Sequence, residues 1–93
     1  MKLPMRFRII HLVSQHDTIS DNEVVEALRD EYGEEGQYTL SKINTHLMSL
    51  RAVGIIENAG VSLDQGGKFV QQFKITDYGI NLLNSYLPKG WKQ

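Results

Sequence analysis

Residues 39–56, TLSKINTHLMSLRAVGII, decide how the rest of the chain is read. Thr39 suits an N-cap, and Leu40, Ile43, Leu47 and Leu50 recur at the spacing of one buried helix face, which predicts a helix over about 40–53. Gly54 supplies the left-handed residue that ends it. Opposite the apolar stripe lie Ser41, Thr45, Met48 and Ala52, with Lys42 and Ser49 on one shoulder and Asn44 on the other. These polar residues are small and rich in hydrogen-bonding groups, a character that suits either a solvated face or a face that reads another molecule.

Beyond Gly54 the apolar period changes from helical to two. Ile55, Ala59, Val61 and Leu63 alternate with mostly polar neighbours, as do Phe69, Phe73 and Ile75, and DQGGK between them reads as a hairpin tip. A two-stranded hairpin over about 55–76 is expected. Upstream, Pro4 and the spacing of Met5, Ile9, Leu12 and Val13 predict helix one over about 4–16. Ser20 and Glu23 form the S-x-x-E pattern in which each side chain satisfies a free backbone N–H, opening helix two over about 21–32. Thr76 and Asp77 precede a last helix over about 77–87. In that helix Ile80, Leu83 and Leu87 form one apolar stripe and Tyr78, Leu82 and Tyr86 a second. The expected architecture is α+β: three helices, a hairpin and a C-terminal helix in one domain over 1–93.

Composition narrows the functions available. With 93 residues there is room for one core, and without cysteine there are no disulfides, thiolate metal sites or cysteine nucleophiles. His11, His16 and His46 lack the i,i+4 spacing that places two imidazoles on one helix face, so no metal or cofactor is expected. Neither GEEG nor DQGGK has the remaining residues of a phosphate loop, no Ser–His–Asp order is present, and an enzyme is not expected. Arg6, Arg8 and His11 interrupt the apolar N-terminal stretch, so a cytoplasmic protein without a membrane span is expected.

The net charge of −1 is unevenly spread. Residues 17–35 carry eight acids against Arg29, while the flanking stretches 1–16 and 36–93 each carry +3. A polyanion would have to be met away from the acidic stretch.

The order helix, helix, helix, hairpin, helix resembles the winged helix-turn-helix domain of transcription regulators of the arsenic-repressor and phenolic-acid-repressor types. Three stretches carry the resemblance, which spans about 5–84: EVVEALRDEYG as a supporting helix, His46-Leu47-Met48-Ser49-Leu50 followed by Gly54-Ile55-Ile56, and Ile75, Thr76 and Gly79 in FKITDYG. The resemblance implies that helix 40–53 enters the major groove of double-stranded DNA. Its contact candidates are Thr39, Ser41, Lys42, Asn44, Thr45 and Ser49, with Gln65 and Lys68 on the wing. Met48 departs from the pattern, because a thioether cannot neutralise a phosphate.

Weak charge on one chain makes a homodimer the expected form, with Phe7, Ile10, Tyr78, Leu82 and Tyr86 as its candidate interface. Backbone N–H groups at the wing glycines and the Lys68 ammonium are further candidates for phosphate. The alternative is a winged-helix module that binds a protein partner through the acidic helix two, Met48 and the last helix.

Overall fold

The computed structural model describes residues 4–33 and 38–86, with the backbone alone for Tyr86. In chain order the elements are α1 (Met5–Ser14), α2 (Asp21–Tyr32), α3 (Leu40–Ala52), β1 (Ile56–Leu63), β2 (Phe69–Ile75) and α4 (Asp77–Tyr86). Leu87, expected at the end of the last helix, lies outside the described residues.

Local chemistry explains the boundaries. Ser20 Oγ accepts from Glu23 N at 3.3 Å while the Glu23 carboxylate accepts from Ser20 N at 3.1 Å, so the capping box of α2 is complete. At the start of α3, Thr39 Oγ1 accepts from Lys42 N at 3.1 Å. α1 stops at Ser14 because the next turn tightens: Gln15 N and His16 N donate to Leu12 O and Val13 O, three residues back. Gly54 closes α3 with φ of +84°, a conformation that a side chain would strain.

The core gathers one face from each element: Ile9, Leu12 and Val13 of α1, Val24, Leu28 and Tyr32 of α2, Ile43, Leu47 and Leu50 of α3, with Ile56, Phe73 and Leu83 closing it. The hairpin is antiparallel, with Ile56 opposite Ile75 and Leu63 opposite Phe69. A third segment joins its open edge, since Ile19 and Phe73 exchange N–H···O bonds of 2.9 and 2.8 Å. That short bridge pins the start of α2 to the base of the wing.

Three expectations about side chains are corrected. Leu40 is 46% exposed, because the buried stripe of α3 begins one turn later at Ile43; a helical wheel gives direction but not how far the neighbouring elements reach. Ile80 is exposed while Leu83 is buried, so the inward face of α4 runs through Gly79 and Leu83 with Leu82 half-buried beside it. The wing does not keep Val61, Leu63 and Phe69 inside. A bulge at Ala59, next to Gly60 at φ of +122°, shifts the alternation so that these three share a ribbon face with Ile56 and Phe73. All three are exposed, Phe69 to 80%.

Gly79 has a steric reason to be glycine. A Cβ there would collide with the Ile55 carbonyl oxygen and stand 2.7 Å from Ile75 Cγ1. Alanine would gain about 1 kcal/mol of helix propensity, but a backbone carbonyl cannot move aside as a flexible side chain can. Gly79→Ala should therefore be net destabilising by about 2 kcal/mol, lowering Tm by roughly 10 °C in thermal unfolding. An unchanged or raised Tm would contradict this close approach.

Candidate nucleic-acid interface

The polar face of α3 is built by position rather than by charge. Ser41, Lys42 and Thr45 are exposed along its first half, and Asn44, Met48 and Ser49 are half-buried. Thr45 Oγ1 donates back to Ser41 O at 3.0 Å, leaving its oxygen lone pairs outward. Thr39 is occupied by its cap bond but keeps a free-rotating hydroxyl proton. Met48 packs against the core, which accounts for the thioether without any role on the outer surface.

Asn44 is the exception on this face, because Nδ2 donates to Asp21 Oδ2 at 3.2 Å. Asp21 and Asn44 line one wall of a groove of 220 Å³, and Lys68, Phe69 and Gln71 of the wing line the other. Asn44 of α3 and the polar residues of the wing therefore face a shared opening.

The wing tip differs from its expected chemistry. Asp64 Oδ1 accepts from both Gly66 N and Lys68 N at 2.9 Å, and Gly67 N donates to Asp64 O at 3.1 Å. The glycine amides that would have met a phosphate are satisfied by Asp64, Gly66 N by its carboxylate and Gly67 N by its backbone carbonyl. What remains outward is Gln65, the Lys68 side chain and the apolar surface of Phe69.

The basic residues divide into two sets. Arg8 clasps Glu31 through Nε and Nη2 at 2.9–3.1 Å, tying α1 to α2, and Lys74 lies 3.7 Å from Glu57 across the hairpin. Arg6, in contrast, turns toward α3, where Nε donates to His46 Nδ1 at 3.0 Å. This places a second cation, besides Lys42, near His46, a neighbour that reading along one helix could not find. Only the pairing of residues 40 apart in sequence brings it there.

Of the interface proposed for a second copy, Tyr78 is 54% exposed on α4, and Phe7 and Leu82 are half-buried against the core. Ile10 is only 3% exposed and belongs to the core of the chain itself, so it has no surface to offer a partner. The Tyr86 side chain lies outside the described residues. No helix among the described residues is long and apolar enough to cross a membrane.

The sequence matches no family model and no curated protein. Solved structures do match. The Bacillus subtilis regulator PadR, in complex with operator DNA, superposes with a TM-score of 0.74 at 19% identity over 89% of this chain. A PadR-like transcriptional regulator of Bacillus cereus gives 0.70 at 18% identity, covering 87% of this chain and 75% of that one. A Streptococcus transcriptional regulator gives 0.68 at 15% identity, with the same coverage of the two chains. The fold is the winged helix-turn-helix, with α3 in the place of the recognition helix and β1–β2 as the wing. The chain spans 46% of the length of the B. subtilis structure, about half.

Burial, with Arg6 and Lys42 close by, holds the His46 imidazole below its ordinary value of 6.5. Burial and Arg8 lower His11 in the same way, against an opposing pull from Glu31. A base depressed in the folded state is protonated first in the unfolded chain as pH falls. The stability is complete above about 6.5 and is lost on descending through the folded-state value. Tm should fall between pH 7.5 and 5, and His46→Gln, which keeps an acceptor for Arg6 and cannot be protonated, should fall less steeply. Equal slopes would exclude His46 as a contributor.

Proposed function

We propose that this chain is the DNA-binding domain of a transcription regulator, with α3 reading the major groove of double-stranded DNA and the wing flanking it. The observation that carries the reading is the exposed row Ser41, Lys42 and Thr45 on α3 of a winged-helix fold, with Asn44 of the same helix facing the wing across a groove. Support also comes from the structural likeness to PadR, whose solved structure holds operator DNA. Ser41, Asn44, Thr45 and Ser49 supply hydrogen bonds to base edges or nearby phosphates, and Thr39 marks the helix start at the backbone. Lys42, Lys68 and Arg6 supply the charge, with Gln65 and Phe69 at the wing tip contacting sugar and backbone.

Each chain then neutralises about three phosphates, which gives log K a slope near −2.7 against log salt. A pair of chains on two half-sites roughly doubles the slope and multiplies the affinity through effective concentration. The exposed Tyr78 on α4, with half-buried Leu82 one turn along the same stripe, is the surface assigned to that pairing, to which half-buried Phe7 of α1 is a further candidate. A protein that works on DNA in this way resides in the cytoplasm of a bacterial or archaeal cell.

Titration of fluorescent duplex DNA between 50 and 200 mM salt tests the reading. Saturable, salt-sensitive binding is expected, with the slope reduced by about 2 per chain in Lys42→Ala combined with Lys68→Ala. A folded wild-type protein that binds no duplex at low salt would sink it. Sedimentation separately tests the pairing: Tyr78→Glu should convert a dimer into a folded monomer. A wild-type chain that stays monomeric at micromolar concentration would remove that part alone.

A further inference from the structure

Asp21 opens α2 and is therefore not part of the reading helix, yet both of its oxygens are committed near it. Oδ1 accepts from Asn22 N at 2.7 Å, and Oδ2 accepts from Asn44 Nδ2 at 3.2 Å. The bond joins residues 23 apart in sequence and lies in the groove between α3 and the wing. We infer that Asp21 is a specificity-determining positioning residue, which presets the Asn44 amide for adenine and at the same time weakens binding to every other sequence. The inference rests on the proposed DNA-binding function of α3.

The argument is one of hydrogen-bond inventory. An asparagine amide presents an acceptor oxygen and an NH₂ group with two protons, and a free amide can rotate to exchange the two ends. A carboxylate accepts and does not donate, so only the nitrogen end can face Asp21. One flip state is thereby selected without help from DNA. With one proton donated to Asp21, the other remains beside Oδ1 as a donor–acceptor pair. Adenine presents the complement of that pair in the major groove, an N7 acceptor and an N6 donor. Guanine presents two acceptors there and leaves Oδ1 facing an acceptor.

The charge on Asp21 has a second effect. Any duplex seated on α3 brings phosphates toward the groove that Asp21 and Asp64 line, and the two carboxylates repel it. The repulsion applies to all sequences, whereas the gain from a preset Asn44 applies only where adenine is present. Discrimination rises while general affinity falls, which is the behaviour of a device that selects by penalising the wrong partner.

Selection from a randomised duplex library with the wild-type protein identifies a preferred site and the position at which A·T is required. The Asp21→Asn variant keeps the size and the helix-start position but presents an amide with donors as well as an acceptor. Its discrimination at that position should fall by about tenfold. Its affinity for random duplex should rise about twofold to fivefold, in a salt-dependent way. Asp21→Ser, which keeps a residue suited to a helix start, should do the same, guarding against a fold defect in one variant. In an Asn44→Ala background, neither change should alter discrimination further.

A purely structural role for Asp21 would lower Tm and weaken all DNA binding together, leaving the discrimination ratio unmoved, and that result overturns the inference. Unchanged discrimination in both variants overturns it as well. A wild-type protein that binds no duplex fails the underlying function instead, and is recognised before any variant is made.

Discussion

The Thr76 hydroxyl stands where the end of α3, the entry to the wing and the start of α4 meet. Its Oγ1 lies 2.6 Å from Gly54 O and 2.9 Å from Ile55 O, and its single proton serves those two carbonyls. The same oxygen accepts from Gly79 N at 3.1 Å, capping α4. Thr76 N donates to Ile55 O at 3.1 Å, and Gly79 comes close enough to that carbonyl to exclude a Cβ. A cap of this kind contributes only about 1 kcal/mol, so its importance is geometric. Gly54 turns the chain out of α3 and Ile55 N returns to Leu50 O, so the direction in which the wing leaves is set within a few residues of this contact. The groove between α3 and the wing inherits its width from here.

The far end of the wing obeys different constraints. Its base is held by Phe73, through packing and through the exchange of backbone bonds with Ile19. Past the bulge at Ala59 the ribbon faces the helices across open grooves instead of packing on them, and Val61, Leu63 and Phe69 are exposed. An isolated two-stranded hairpin is at best marginally stable in water. Here the outer half is supported by the cross-strand pairing of Leu63 with Phe69, the Gln72–Ser62 side-chain bond of 2.9 Å, and a turn organised around Asp64. Asp64 therefore contributes order to the tip at the cost of placing an acid beside Lys68.

Local signals in the sequence were legible and non-local ones were not. Ser20 and Glu23 could be read as a capping box, and Gly54 as a helix stop, because each acts on backbone within a few residues. The step Ile75, Thr76, Gly79 was visible as a pattern, but its reason lies in contacts with Gly54 and Ile55, more than twenty residues upstream. On α4 the sequence offers two apolar stripes without choosing between them, because apolar bulk does not mark the closest approach, which is made by Gly79. Ile10 was assigned to a surface because helix one carries more apolar residues than one stripe needs, and the core absorbs it. In the candidate site, the row on α3 followed from the helical period alone. Arg6 beside His46 and Asp21 on Asn44 did not, since each depends on how two helices cross.

Charge is used in this chain more to place helices than to attract a ligand. The Arg8–Glu31 pair is partly buried and bidentate, with the arginine side chain 14% exposed, so it fixes the approach of α1 to α2 more firmly than a solvated pair would. The Lys74–Glu57 pair is exposed on both sides, and pairs of that kind contribute between about 0 and 1 kcal/mol. Neither pair explains why the fold is stable, which the apolar core does. Each nevertheless withdraws one cation from the outer field. Arg6 stands between these uses, holding His46 of the recognition helix from α1 while remaining exposed. A contact that orients α3 from behind and a cation that extends its surface are here the same side chain. Protonating His46 would remove the acceptor and set two positive groups about 3 Å apart, so the bond exists only while the imidazole is neutral. The depressed value at His46 thus comes first from its burial and then from the Arg6 that anchors α1 to α3, and it links the orientation of α3 to the burial of the core beneath it.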